Sequence, residues 1–124
     1  MTTEATSAHD LPARIVDSHA GEWREHPRFA GVLLKGLLTS ADNALASVNV
    51  VRLPAGREIG HHTHPTQVET AFVLSGQGML WLGDSEVPFG AGQIAAVPMN
   101  TVHGLRNPSD QDMELLAVFT PPMA

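Results

Sequence analysis

From Ala46 onward the chain is written as short apolar runs, each closed by turn residues. SVNVVRL ends at Pro54-Ala55-Gly56, VETAFVLS at Gly76, MLWL at Gly83-Asp84, QIAAV at Pro98-Met99-Asn100, and MELLAVF at Thr120-Pro121-Pro122. Short runs at this regular spacing, punctuated by Gly, Pro and Asn, indicate an all-β barrel or sandwich. Eleven glycines and nine prolines suit that many turns. The earlier stretch HPRFAGVLLKGLL reads two ways. Its leucines at 33, 34, 37 and 38 fit a helical stripe, but Gly31 and Gly36 weaken a helix and Pro27 stands before it. Residues 1 to about 13, rich in Thr, Ala and Ser, carry no apolar period and are expected to form a flexible arm ahead of one domain at 14–124.

Composition closes off several function classes. With 124 residues, 43% of them hydrophobic, the chain suits one domain with one core. A net charge of −6 gives no electrostatic basis for binding nucleic acid or an anionic membrane. The leucine-rich VLLKGLL is broken by Lys35 and Gly36, so no bilayer span is expected. MTTEATSAHD lacks a basic segment followed by an apolar one, so no signal peptide is read and a cytoplasmic location is the default expectation. Cysteine and tyrosine are both absent. That excludes disulfides, zinc–thiolate sites, a thiol nucleophile and a phenol acting as general acid.

GHHTHPTQVE, Gly60 to Glu69, concentrates three of the seven histidines in four residues and ends on a carboxylate. Residues two apart on a strand share a face, so His62 and His64 point together while His61 and Thr63 point away. Pro65 and Thr66 make a turn, after which an antiparallel neighbour would bring Glu69 beside the two histidines. The Glu69 face continues with Ala71 and Val73, small residues that leave a cavity, with Phe72 and Leu74 on the other side. Two imidazoles and a carboxylate on one point suit a borderline divalent cation, and His103, in the TVHGLRN run, is the best candidate for a further ligand. A solvated polar loop is the alternative for an isolated His-x-His pair. The distal histidine and the glutamate favour the metal. His9, His19 and His26 share no spacing with the cluster and read as exposed or capping residues.

These residues resemble the two motifs of the cupin superfamily, in particular its small single-domain microbial members. The first, G-x5-H-x-H-x4-E-x6-G, is met by Gly56, His62, His64, Glu69 and Gly76. The second, G-x5-P-x-G-x2-H-x3-N, is met by Gly92, Pro98, His103 and Asn107, with Asn100 where the family has glycine. Asparagine tolerates a left-handed backbone, so the turn should survive that change. The resemblance covers roughly 48–119. It implies an antiparallel, jelly-roll-like double-stranded β-helix with His62, His64, Glu69 and His103 as ligands of one divalent transition metal per chain (iron, manganese, nickel, cobalt, copper or zinc). It further implies that Gly56, Gly76 and Gly92 are turn residues, that Asn107 is a structural strand-end residue, and that the N-terminal segment forms edge strands, which cupins often pair in a homodimer.

Four protein ligands on an ion that prefers six leave two positions for water, dioxygen or a chelating substrate. A residual positive charge beneath an apolar pocket favours a small organic substrate with anionic oxygens. A dioxygenase is the leading expectation, with Glu69 as a possible base. A metal-assisted isomerase or lyase acting on a sugar acid, or a non-catalytic small-ligand barrel, is the alternative. Gln67 shares the parity of Glu69 and is a candidate for the shell around the ligands. Arg52, Arg57 and Arg106 are candidates for carboxylate recognition, although parity sets Arg106 opposite His103. Met79 and Trp81 read as core, and Phe89, in a PFGAG turn, as a plug at a barrel end.

Overall fold

The structure, a computed structural model, describes residues 13–123. The expected arm therefore lies outside the described residues, apart from its last position. Ten strands and no helix are found among the described residues. In chain order they are β1 (Arg24–Glu25), β2 (Leu33–Leu38), β3 (Ser47–Leu53), β4 (Glu58–His62), β5 (Val68–Ser75), β6 (Gln77–Leu82), β7 (Ser85–Gly90), β8 (Ile94–Val97), β9 (His103–Arg106) and β10 (Met113–Thr120). They form a six-stranded sheet, β1-β2-β3-β10-β5-β8, facing a four-stranded sheet, β4-β9-β6-β7, with every pairing antiparallel. The all-β jelly-roll expectation holds.

The ambiguous leucine stretch is resolved as strand. A turn closed by Val32 N–H donating to the Phe29 carbonyl (3.3 Å), with Gly31 at φ 78°, precedes β2. The leucines then alternate across the sheet, where β3 supplies the long-range pairing that a local helix would lack. The run at Ser85–Gly90, read from sequence partly as a turn, is strand β7. It lies at the edge of its sheet, the place where a strand tolerates Pro88.

Period-2 alternation sorts the core. Met113, Leu115, Ala117 and Phe119 of β10 point inward with Val51 and Leu53 of β3 and Ala71 and Val73 of β5. Leu53, Val73, Met113 and Val32 are fully buried. Across the six-stranded sheet one inward row reads Ala95, Ala71, Ala117, Asn49 and Gly36 in register. Small side chains in consecutive positions cannot fill the space between the sheets. An apolar cavity of about 150 Å³ results, and Glu69, in the adjacent row, stands at it.

Two expectations about orientation are corrected. Met79 and Trp81 are on the outer face of the four-stranded sheet, not in the core: Leu80 between them takes the inward position. Trp81 stacks on His61 (centroids 4.8 Å apart) and donates its Nε1–H to the Gly83 carbonyl at 2.9 Å. Phe89 is buried, but as the cavity-lining end of β7 paired with Gly78, and not as a turn residue.

Candidate metal centre

His62, His64, Glu69 and His103 converge, each offering one ligand atom, with all four atoms within 4.8 Å of one another. They arrive from different parts of the fold. His62 ends β4, and His103 opens β9 directly opposite it in register, their rings 4.2 Å apart. His64 lies two residues past the end of β4, in the segment leading to the Pro65-Thr66 bend. Its carbonyl accepts the Asn100 N–H at 2.9 Å, which ties this loop to the turn before β9. Asn100 itself has φ 60°, the left-handed geometry that a glycine would otherwise supply there.

Glu69 does not come from a neighbour of β4, as the sequence reading had it. The chain crosses between sheets after His64, and Glu69 sits on β5 of the six-stranded sheet, between Phe119 and Val97. The carboxylate therefore faces the three imidazoles across the barrel.

A β-bulge aims His62. Ile59 pairs with Leu105 and His62 with His103, so two residues of β4 oppose the single residue Gly104. The extra residue reverses parity, and both Ile59 and His62 line the cavity while His61 is exposed outside. Gly104 makes room for this: a Cβ there would stand 2.8 Å from the His61 ring and 3.0 Å from the Ile59 carbonyl oxygen. The bulge was missed from sequence. Gly60, an isolated glycine within a strand, is the signal that could have revealed it.

The hydrogen bonds fix which nitrogens face inward. His62 Nδ1 lies 2.7 Å from the Gly60 carbonyl oxygen, and His103 Nδ1 lies 2.8 Å from the Thr101 carbonyl oxygen. A carbonyl only accepts, so both Nδ1 atoms carry protons and both Nε2 atoms turn to the centre, as in metal-ligating histidines. His64 Nε2 is buried with no hydrogen-bond partner and lies 3.4 Å from Glu69 Oε1. A buried nitrogen without a partner is costly unless something else occupies its lone pair. Three imidazole nitrogens and one carboxylate make a donor set that fits a divalent transition ion.

The electrostatics follow from this crowding. Burial would raise the Glu69 carboxyl, but the hydrogen bond from His103 and the closeness of the His103 and His64 rings outweigh it and hold it down at about 2. Burial would lower His103, yet its 3.1 Å bond to Glu69 and its bond to Thr101 leave it raised above the ordinary histidine value. His62 is lowered, chiefly by burial.

The remaining candidates separate from the cavity. Gln67 is half-buried in the turn and does not line it. Arg52 pairs with Glu114 at 3.2 Å and lies over the Trp23 ring, and Arg106 forms a two-pronged bond to Glu86 at 2.7 and 2.8 Å, both outside the barrel. The Arg57 side chain packs over Gly31. None of these three arginines reaches the cavity. Arg24, unremarked in the sequence, lines it, and so does His26, which is half-buried and caps the Arg28 and Phe29 N–H groups instead of standing exposed.

Two facing antiparallel sheets, holding three histidines and a glutamate at the mouth of an apolar cavity, define a β-barrel of the metal-site type. The chain belongs to the cupin family: the family's cupin domain matches residues 49–119. The oxalate-binding protein of Thermotoga maritima is 31% identical over 113 residues, 91% of this chain and 89% of that protein. Among solved structures, KdgF from Halomonas sp. superposes with a TM-score of 0.78 at 17% identity, covering 89% of this chain and 94% of that one. A sugar phosphate isomerase of the cupin superfamily from Silicibacter pomeroyi gives 0.75 at 25% identity, covering 86% and 75%.

Proposed function

We propose that His62, His64, Glu69 and His103 ligate one divalent transition metal, and that the protein acts on a small organic anion bound there. The observation that carries this reading is the convergence of three imidazoles, two of them oriented by backbone carbonyls, and an ionised carboxylate at the mouth of an apolar cavity. An ion held there supplies Lewis-acid polarisation of a chelating oxygen and, if it is redox-active, electrons for dioxygen. The chain's own part is to hold the imidazoles in one tautomer through Gly60 and Thr101, and to exclude water with Val97, Leu105 and Phe119. Glu69 is the only carboxylate lining the cavity among the described residues, and we assign it the role of base once it loosens from the ion, because its contacts with the imidazoles otherwise hold it at about 2.

Dioxygenase chemistry is the reaction class we assign first, since four protein ligands leave room for both substrate and dioxygen. The specific support for the alternative is that one relative is named for binding oxalate and one structural neighbour for isomerising sugar phosphates. Metal analysis of protein purified without a tag or chelator, with oxygen uptake followed on the same sample, separates the two. Stoichiometric iron with oxygen consumed on adding small enols or catechols supports the dioxygenase. Zinc, nickel or manganese without oxygen uptake assigns isomerase, lyase or binding function instead.

No helix among the described residues is long and apolar enough to cross a membrane, and we place the activity in the cytoplasm. We further propose a homodimer. Phe72, Leu74, Ile94 and Leu116 share the outer face of the six-stranded sheet, with Ile94 64% and Leu74 46% exposed. Light scattering is expected to give twice the chain mass, and Ile94→Asp to halve it. A monomer at every concentration would remove this part of the reading.

A further inference from the structure

The cavity has a second polar region, on the side of β1 to β3. Arg24 pairs in register with Leu34, whose side chain faces the cavity. Trp23, one residue earlier, points the other way and carries Lys35 and Arg52 against its ring on the outside. Parity therefore sets Arg24 on the cavity side, where it lines the open rim and is exposed to solvent. No acidic group among the described residues pairs with its guanidinium. The contrast with Arg14, Arg52 and Arg106 is direct, since each of those is held by a carboxylate.

His26 follows on the same side. Its Nδ1 accepts the Arg28 and Phe29 N–H groups at 3.0 and 3.3 Å, so the ring's Nε2 carries the proton and is left to donate. Burial, with Arg24 and Arg28 nearby, lowers its pKa and keeps the ring neutral near pH 7. Asn49 adds a cavity-lining amide from β3. Each of these groups donates hydrogen bonds, and Glu69 is the only acid in the lining among the described residues. In a chain of net charge −6, this interior is built to hold anions.

The two polar regions lie close together. The His26 ring contacts Phe29 at 4.8 Å, and Phe29 contacts His62 at 5.5 Å. Phe29 thus stands between the His26 ring and the His62 ring.

Resting on the metal-site reading above, we propose that Arg24, with His26 Nε2–H, binds a second anionic group of the substrate. The substrate class is then a small dianion, with chelating oxygens at one end and a carboxylate at the other. Arg24 and His26 act as specificity residues and take no part in bond making.

The test uses the metal-loaded full chain and two probes with the same chelating 2-oxo acid head. One, 2-oxoglutarate, carries a distal carboxylate, and the other, 2-oxopentanoate, ends in a methyl group. Calorimetry should show 2-oxoglutarate binding at least about tenfold tighter, the scale of one charge-assisted hydrogen-bonded pair. Arg24→Gln should erase that preference and leave 2-oxopentanoate affinity and metal content unchanged, and Arg24→Lys should restore part of it. Equal affinities in the unaltered protein would overturn the inference. So would a preference that survives Arg24→Gln, or a loss shared equally by both probes. If neither probe binds although the ion is present, the chelating site itself is wrong, a failure distinct from the other three.

Discussion

His103→Ala is expected to weaken divalent-metal binding by more than about a hundredfold, beyond the 10–100-fold typical of an outer-shell change. His62→Ala should do the same. His61→Ala should leave metal content nearly intact, although it lies closer in sequence to the other ligands than His103 does. The reason is the bulge. His62 and His103 are register partners whose Nε2 atoms face the centre, whereas His61 stacks on Trp81 outside the barrel. Elemental analysis of the three purified variants, beside the unaltered protein, decides it. Equal loss from all three would mean that the faces are wrongly assigned.

The second large effect is of pH, and its sign depends on whether metal is present. His103 Nδ1–H is committed to Thr101, so its contact with Glu69 needs a second proton on Nε2, the atom a metal would take. That proton is held above the usual histidine range. Glu69, at about 2, is ionised throughout and does not compete, while His62 is lowered and competes only at more acid pH. Metal uptake below the His103 pKa should therefore release one proton, and apparent affinity should fall about tenfold for each pH unit of acidification.

With chelator present the trend in stability reverses. A raised His103 stabilises the fold below its unfolded value of 6.5, and that contribution is lost as pH rises through the folded pKa. A depressed Glu69 contributes above 4.5 and is lost as pH falls toward 2. The pair thus stabilises most between those two unfolded values. The melting-temperature advantage of the unaltered protein over His103→Gln should shrink from pH 6 to pH 8 in chelator and grow with saturating metal; the comparison cancels His62 and His26, whose lowered values work the other way in both proteins. Parallel trends in the two conditions would show that the proton and the ion do not share His103.

What could be read from the sequence followed from local rules. Turn residues and run lengths marked most of the strands, and the convergence of His62, His64, Glu69 and His103 was legible because a metal site calls for particular side chains at particular spacings. The tolerance of Asn100 for φ 60° was legible for the same local reason. What escaped was set by pairing between distant strands. The bulge between Ile59 and His62, opposite Gly104, was not legible, although the alternation of His61 against His62 and His64 was. Glu69 was expected beside β4, and nothing local marks the crossing of the chain to the facing sheet. Trp81 and Met79 looked like core by their chemistry, while Leu80 took the inward place. Arg24 and His26 carry no motif, and only the folding of β1 against β2 brings them to the cavity.

The position of β10 bears on how such a chain is made. β10, which follows the other nine strands in the chain, is central in the six-stranded sheet, between β3 and β5. Until Met113–Thr120 emerges, β3 can pair only with β2, and β5 only with β8. The inward faces of Leu53 and Val73 have no wall to close against, and Glu69 lacks the neighbour that seats it. A fold that joins its halves through β10 completes only after that strand is made, through contacts distant in sequence. Until then its strand edges stand open to aggregation, and a chain cut just before Met113 would expose two aggregation-prone part-sheets in place of one smaller barrel.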